Sequence, residues 1–344
     1  MDELEERYSR QMLFARIGRD GQSRIRRSTV GLVGLGALGC TIAEMLVRAG
    51  VGRLIAVDRD VVERSNLHRQ GLYLEEDAAE GLPKAVAAAK RLGAMNPDVE
   101  IQAHAEDFNA DNAVARFGGA DLLIDGTDSF ESRYLLNDLA VSLSIPWIYG
   151  ACVASGGMTM TIVPQKTPCL ACIFPEPPPA GIHETCDTAG IIAPAAHIAA
   201  SIQTVEALKI LSGRIDDVRP SLLSFDLWPF RIVEVGKQGA IPNPDCRACS
   251  RKDFIFLAGE RESKTVKMCG RNSVQIHPGI REPIDLAALA ARLRPVAAVV
   301  DNGFAVTITV PEATLTVFSD GRCLVRGTTD PGLARSLHAR WIGA

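Results

Sequence analysis

Apolar positions in this chain fall into short runs divided by turn-forming residues, and the spacing within them switches between strand and helix periods. Thr29–Val33 is a continuous apolar run that flows into Gly34-x-Gly36-x-x-Gly39, a pattern that predicts a buried strand, a tight turn and a helix over about Ala37–Ala49. Leu54–Val57 repeats the strand signal and is closed by the acidic Asp58. Leu82–Met95 predicts a helix, with Pro83 suited to its first turn and Asn96-Pro97 stopping it. Val99–Ala103, Ala120–Ile124, Pro146–Tyr149, Gly156–Val163, Leu222–Phe225 and Arg231–Val235 read as further strands. Helices are expected at Glu131–Leu143 and after Pro194, and Ser9–Arg27 reads as an amphipathic helical lead-in.

Strands alternating with helices up to about Ser250 predict an α/β architecture, a Rossmann-like, doubly wound and mostly parallel sheet. Beyond it the pattern changes. Val296–Asp301, Phe304–Val310, Leu315–Ser319 and Cys323–Arg326 alternate like strands, and Asn302-Gly303 and Asp320-Gly321 are hairpin signals. With helical stretches at Asp285–Leu293 and Pro331–Trp341, residues 251–344 are expected to form a small α+β domain after a larger one spanning 1–250. The small domain carries no catalytic motif.

A chain of 344 residues with 47% hydrophobic and 23% charged residues has an ordinary globular balance. The net charge of −4, without a long Lys/Arg run, argues against a nucleic-acid surface. The N-terminus lacks the apolar core of a signal peptide, and the most apolar later stretch, Ile191–Leu211, is interrupted by His197, Gln203 and Glu206. That stretch reads as a buried or interface helix, and a cytoplasmic protein without a membrane span is expected.

Nine cysteines in such a chain point to metal binding or catalysis. Cys169-x-x-Cys172 and Cys246-x-x-Cys249 are two matched pairs in proline-containing turns. Four thiolates from two such turns make a closed tetrahedral shell, the usual form of a structural Zn²⁺ site. The metal would staple two distant segments and give the sheet a zinc-bound extension. Unrelated surface or redox thiols are the alternative. Cys40 and Cys152 sit in apolar runs and read as core residues.

The glycine turn, followed by a helix whose N-terminal amides point at it, is a place for a phosphate. Asp58 suits a ribose hydroxyl. Ser65-Asn66-Leu67-His68-Arg69-Gln70 follows closely, and Lys84 begins the next helix. Two cations near the turn suit a triphosphate attacked at its α-phosphorus, where charge develops on pyrophosphate. On spacing alone Arg69 and Lys84 read equally as a solvated pair. Asp128, in Asp125-Gly126-Thr127-Asp128 at a strand C-terminus, offers a carboxylate for Mg²⁺, or else a helix N-cap.

Together, Tyr8-Ser9-Arg10-Gln11, GLGALG, Asp58-x-Asp60, NLHRQ, Pro83-Lys84, Asn96-Pro97, DGTDS and both cysteine pairs, in this order over about residues 5–250, resemble the ThiF/MoeB/HesA group of ubiquitin-activating-enzyme-like adenylyltransferases. The resemblance implies binding of Mg²⁺ and ATP and adenylation of the C-terminal glycine carboxylate of a ubiquitin-like sulfur carrier ending in Gly-Gly. It implies that Gly34, Gly36, Gly39, Asp58 and Asp60 frame the nucleotide, Asp58 holding the ribose. Asn66, Arg69 and Lys84 would contact the phosphates, Gln70 would line the same site, and Asp128 would bind Mg²⁺. Arg10 would reach into the site of a neighbouring subunit, implying a homodimer with composite sites.

The proline-rich stretch Pro175–Thr185 resembles the group's crossover loop. Cys186 matches the position at which some members link covalently to the carrier, and a dispensable loop cysteine is the alternative. Cys269-Gly270-Arg271 lacks the spacing of a rhodanese active loop, so sulfur from a cysteine desulfurase or a separate rhodanese is expected. Other readings are a tRNA-modifying dehydratase that activates a small carboxylate, a non-catalytic scaffold for a ubiquitin-like protein, and an NAD-dependent dehydrogenase. The last lacks an obvious hydride-transfer constellation.

Overall fold

Strands β1 (Thr29–Val33), β2 (Arg53–Val57), β3 (Glu100–His104), β4 (Leu122–Asp125) and β5 (Trp147–Val153) lie in the order β3-β2-β1-β4-β5. All four of these pairings are parallel. The computed structural model describes residues 6–177, 186–236, 242–261, 265–268, 272–276 and 284–342, the side chains of 186, 187 and 265–268 excepted. The chain divides into two compact units, Met1–Ala79 with Pro83–Glu262, and Glu80–Leu82 with Ser263–Ala344.

In the first unit the sheet continues antiparallel through β6 (Gly156–Ile162), β7 (Leu222–Asp226) and β8 (Arg231–Val235). Strand order reverses at β1, whose neighbours β2 and β4 lead away on either side. The crevice beyond the C-terminal ends of these three strands is therefore the switch point of a doubly wound sheet, where ligands bind. The apolar runs explain the layout: every residue of β4 is buried, as are four of the five in β1 and in β2, as expected for parallel strands covered on both faces.

The Ala193–Leu211 helix packs on β5 and on the Ala37–Ala49 helix. Small buried residues, Ala195, Ala196, Ala199, Ala200 and Ala207, form its inner face. Of the polar residues that interrupt its apolar run, His197 faces solvent, while Gln203 and Glu206 are buried and bonded inside the protein. Gln203 donates to the Asp125 carbonyl at 2.8 Å, and Glu206 accepts from Lys209, the Arg219 amide and Thr161. No helix among the described residues is long and apolar enough to cross a membrane.

The lead-in is two helices, Ser9–Leu13 and Gly18–Ile25, where the sequence pattern predicts one over Ser9–Arg27. Phe14 turns extended, with φ −70° and ψ 106°, and ends the first. A helix at Ala110–Phe117 goes unseen in the apolar pattern, although Asn109 and Asn112 cap its start reciprocally. After Ser250, Phe254, Ile255, Phe256 and Leu257 pack on the first unit's core, and Phe256 stacks on Tyr134 with ring centroids 5.1 Å apart.

The second unit is a six-stranded sheet of β9 (Thr265–Met268), β10 (Ser273–Ile276), β11 (Ala298–Asp301), β12 (Ala305–Thr309), β13 (Thr314–Phe318) and β14 (Cys323–Arg326). Its order is β11-β12-β13-β14-β10-β9, and every pairing is antiparallel. Alternate residues Val306, Ile308, Leu315, Val317, Cys323 and Val325 form one core with Leu289, Leu293 and Leu337 of the Leu286–Leu293 and Pro331–Trp341 helices.

Candidate functional site

At the end of β1 the chain reverses through Gly34, whose φ of +89° is natural only to glycine. Gly39 is needed for a different reason. A Cβ there would stand 1.9 Å from the Gly34 carbonyl oxygen, a backbone atom, so only a bare Cα lets the helix begin against the turn. At Gly36 the added Cβ would meet nothing nearer than 3.9 Å, where it would find Gln70 Nε2 and the Gly126 carbonyl oxygen. Gly36 is the N-cap of the Ala37–Ala49 helix and provides no side chain to cap it. First-turn amides thus face an open cradle, the arrangement that favours an anion. Beneath it the Leu35 carbonyl accepts from Tyr73 Oη at 2.8 Å and Cys40 Sγ at 3.2 Å, which fixes the turn from below. Burial pushes the Cys40 thiol up to about 12, so it is a packing and hydrogen-bonding group.

Asp58, at the end of β2, accepts the Leu35 amide at 2.6 Å and the Asp60 amide at 2.7 Å. Its carboxylate therefore ties the glycine turn to the neighbouring loop. Burial raises its pKa while Lys84 pulls it back. Lys84 Nζ lies 2.9 Å from Asp60 Oδ2, and its side chain is only 3% exposed. It is a buried, paired cation and not the solvated one its spacing also allowed. Asn66 and Gln70 are 2% and 3% exposed, and their amide oxygens accept no hydrogen bond. Two buried acceptors without donors beside an open cradle are fitted to a polar ligand. Arg69, half-buried, donates to the Ser65 carbonyl at 2.8 Å.

On the other side of β1, Gly126 packs against Gly34 and Gly39 at the end of β4, which places Asp128 two residues beyond. Asp128 is exposed. The helix cap is Ser129, whose hydroxyl accepts the Ser132 amide, so the N-cap reading of Asp128 does not hold.

Four groups here go unrecognised in the sequence. Asp125 and Arg133 form a buried ion pair with Nε–Oδ2 at 3.0 Å. Burial raises the Asp125 pKa against the pull of Arg133. Arg59 pairs with Asp107 at 3.2 Å, and although burial works against its charge, Asp107, Asp60 and Asp128 hold its pKa up. The only sequence signal for Arg59 is its place between Asp58 and Asp60. Arg133 carries none, being one polar residue in a helix.

The four cysteines converge, with all Sγ atoms within 4.8 Å of one another. Cys169–Cys172, Cys169–Cys246 and Cys172–Cys249 are 3.8, 3.6 and 3.3 Å apart. A ZnS₄ tetrahedron with bonds of about 2.3 Å has S–S edges of about 3.8 Å, so the cluster fits that ion. The Asn243 amide points at Cys172 Sγ from 3.4 Å and Asn137 Nδ2 at Cys169 Sγ from 3.8 Å, the second-layer donors that orient thiolates.

Arg10 stands exposed on the Ser9–Leu13 helix and shares no hydrogen bond or ion pair with the crevice among the described residues. Cys186 opens the short Cys186–Ala189 helix, and its side chain lies outside the described residues, as do His183, Glu184 and Cys269-Gly270-Arg271. Cys152 is half-buried in β5. Cys323 is fully buried in β14, its thiol pushed up to about 12 by burial.

Fold and site define a doubly wound α/β protein with an open glycine cradle at its switch point and a four-cysteine cluster packed against the core of the same unit. The ThiF family profile matches residues 8–248. The chain is 44% identical to the sulfur carrier protein ThiS adenylyltransferase of Bacillus subtilis, over 98% of this chain and 99% of that one. It is 39% identical to the sulfur carrier protein adenylyltransferase of Thermus thermophilus, over 71% and 90%. The chain belongs to the ThiF family. Among solved structures, that of E. coli MccB with ATP shares the fold, with a TM-score of 0.60 over 71% of this chain and 74% of that one at 21% identity.

Proposed function

We propose that the protein is an ATP-dependent adenylyltransferase that activates the C-terminal glycine carboxylate of a ThiS-type, ubiquitin-like sulfur carrier and releases pyrophosphate. The observation that carries this reading is the similarity to the Bacillus subtilis ThiS adenylyltransferase, which runs through both compact units. The crevice supports it. The open face of Gly36 and the free oxygens of Asn66 and Gln70 suit a nucleotide, Asp58 would share its carboxylate with a ribose hydroxyl, and Lys84 and Arg69 would supply positive charge for the phosphates.

A carrier carboxylate oxygen attacks the α-phosphorus in line, forming the acyl–phosphate bond as the bond to pyrophosphate breaks. The nucleophile is already ionised, so positioning and charge stabilisation do the catalysis, and no general base is needed. Mg²⁺ held by Asp128 would neutralise phosphate charge. The cysteine cluster would hold a structural Zn²⁺.

A cytoplasmic homodimer is part of the proposal. Leu13, Phe14, Ile198 and Val205 expose large apolar side chains on the lead-in and on the Ala193–Leu211 helix, and Arg10, which has no hydrogen bond to the crevice among the described residues, would complete the neighbour's site. With Cys323 buried, sulfur would come from a separate donor of cysteine-desulfurase or rhodanese type. Cys186 is the candidate thiol for that later step, so Cys186→Ala should leave adenylation intact.

The test is ATP–pyrophosphate exchange with purified protein and carriers ending in Gly-Gly. Carrier-dependent exchange abolished by Asp128→Ala is expected. No exchange from a folded, metal-loaded protein that binds ATP would overturn the reading in favour of a small-carboxylate substrate or a scaffold.

A further inference from the structure

One loop of the crevice is held by buried side chains from its own strand and from a helix that follows it. Arg133 Nε donates to Asp125 Oδ2 at 3.0 Å, while Nη2 donates to the Thr127 carbonyl at 2.7 Å and the Gly150 carbonyl at 3.1 Å. Asp125 Oδ1 accepts both the amide and the hydroxyl of Thr127, each at 2.8 Å. Gln203 Nε2 donates to the Asp125 carbonyl at 2.8 Å. Thr127 is thus fixed at its amide, its hydroxyl and its carbonyl, and the next residue is Asp128.

This lattice is a costly way to make a core. Asp125 is 0% exposed and the Arg133 side chain 6%, and taking both charges out of water costs several kcal/mol each, which an apolar pair of similar volume avoids. What an apolar pair does not supply is direction. A guanidinium fork serves a carboxylate and two carbonyls in one plane, and that plane is steadied by the Phe130 and Tyr149 rings, 5.2 and 5.4 Å away.

We propose that Arg133 is a positioning residue for Asp128, its guanidinium orienting the Gly126–Ser129 loop so that the Asp128 carboxylate meets the metal–triphosphate. The inference rests on the reading of Asp128 given above. Arg133 touches no reacting atom and acts through the loop.

The discriminating variant is Arg133→Lys, which keeps the charge and loses the fork. In the ligand-free protein, amide hydrogen exchange at Thr127 and Gly150 should quicken while β1 and β2 amides keep their rates. In pyrophosphate exchange, the Mg²⁺ concentration for half-maximal rate should rise by about tenfold or more and kcat fall by about 10- to 100-fold, with KM for the carrier unmoved. In an Asp128→Asn background, where the amide oxygen keeps one ligand atom for the metal and with it a residual rate, Arg133→Lys should add nothing further. Should Arg133→Lys fold poorly, Thr127→Val removes one bond of the lattice and should give a smaller change in the same sense.

Unchanged amide exchange, or a full additional loss in the double variant, would overturn the proposal. A wild-type protein without adenylation activity would instead overturn the reaction proposed above, and the ligand-free amide rates would still decide whether Arg133 anchors the loop.

Discussion

Removing Asp138 should destabilise the first unit more than removing its partner Arg247. Asp138 is 0% exposed and Arg247 12% at the side chain. They pair through both oxygens, Nη2–Oδ1 at 3.0 Å and Nη1–Oδ2 at 3.1 Å, and Oδ2 also accepts the Phe256 amide at 3.0 Å. Arg247 also donates to the Asp253 carbonyl and lies 5.3 Å above the Phe256 ring. One helix side chain thereby docks the whole turn that carries Cys246 and Cys249. Asp138→Ala leaves a largely buried guanidinium without its carboxylate and the Phe256 amide without its acceptor, at a cost of about 3–5 kcal/mol. For a unit of this size that lowers Tm by on the order of 6–20 °C.

Arg247→Met should cost less, because burial already pushes the Asp138 carboxyl up and it can take a proton, whereas a guanidinium cannot lose one. The assay is thermal and urea unfolding of the metal-loaded protein, followed by far-UV circular dichroism. Asp216→Ala, which breaks an exposed pair with Lys166, is the control expected to do nothing measurable. A loss for Asp138→Ala no larger than the control's, or one smaller than that for Arg247→Met, would refute the reasoning.

Cys249→Ser should abolish stoichiometric zinc by elemental analysis and lower Tm, since a closed four-thiolate shell does not survive loss of one ligand; an unchanged zinc content would place the metal elsewhere. Gly39→Ala brings a Cβ against the Gly34 carbonyl and should cost about 1–3 kcal/mol in stability and weaken ATP binding more than in proportion, measured by calorimetry. Unaltered affinity would mean the turn is not the phosphate cradle. Burial holds the His338 imidazole below the ordinary value of 6.5, so the unfolded chain binds the proton first and the second unit should lose stability as pH falls through that value. His338→Gln should flatten that part of the profile, and an unchanged slope would assign it to other groups.

How much of this was legible in the chain follows from the range of each interaction. The turn at Gly34-x-Gly36-x-x-Gly39, the helix Ala37–Ala49 and the parallel strands are local: each is set by backbone sterics or by the apolar period within about a dozen residues. The two C-x-x-C pairs are also local in form, and thiol chemistry leaves them few uses. The four-residue strands β9 and β10, one reading TVKM and the other SVQI, are too short to show a period.

The roles of the polar groups were decided elsewhere. Lys84 reads equally as a solvent-facing cation until the Asp60 loop folds over it, and Asp128 as a helix cap until Ser129 takes that place. Asp138 and Arg247 are 109 residues apart, and the Arg133 fork joins the end of β4 to the middle of β5. A charge buried at such a distance from its partner leaves no mark in either neighbourhood, because the desolvation that makes the contact matter exists only once the strands and helices have closed around it.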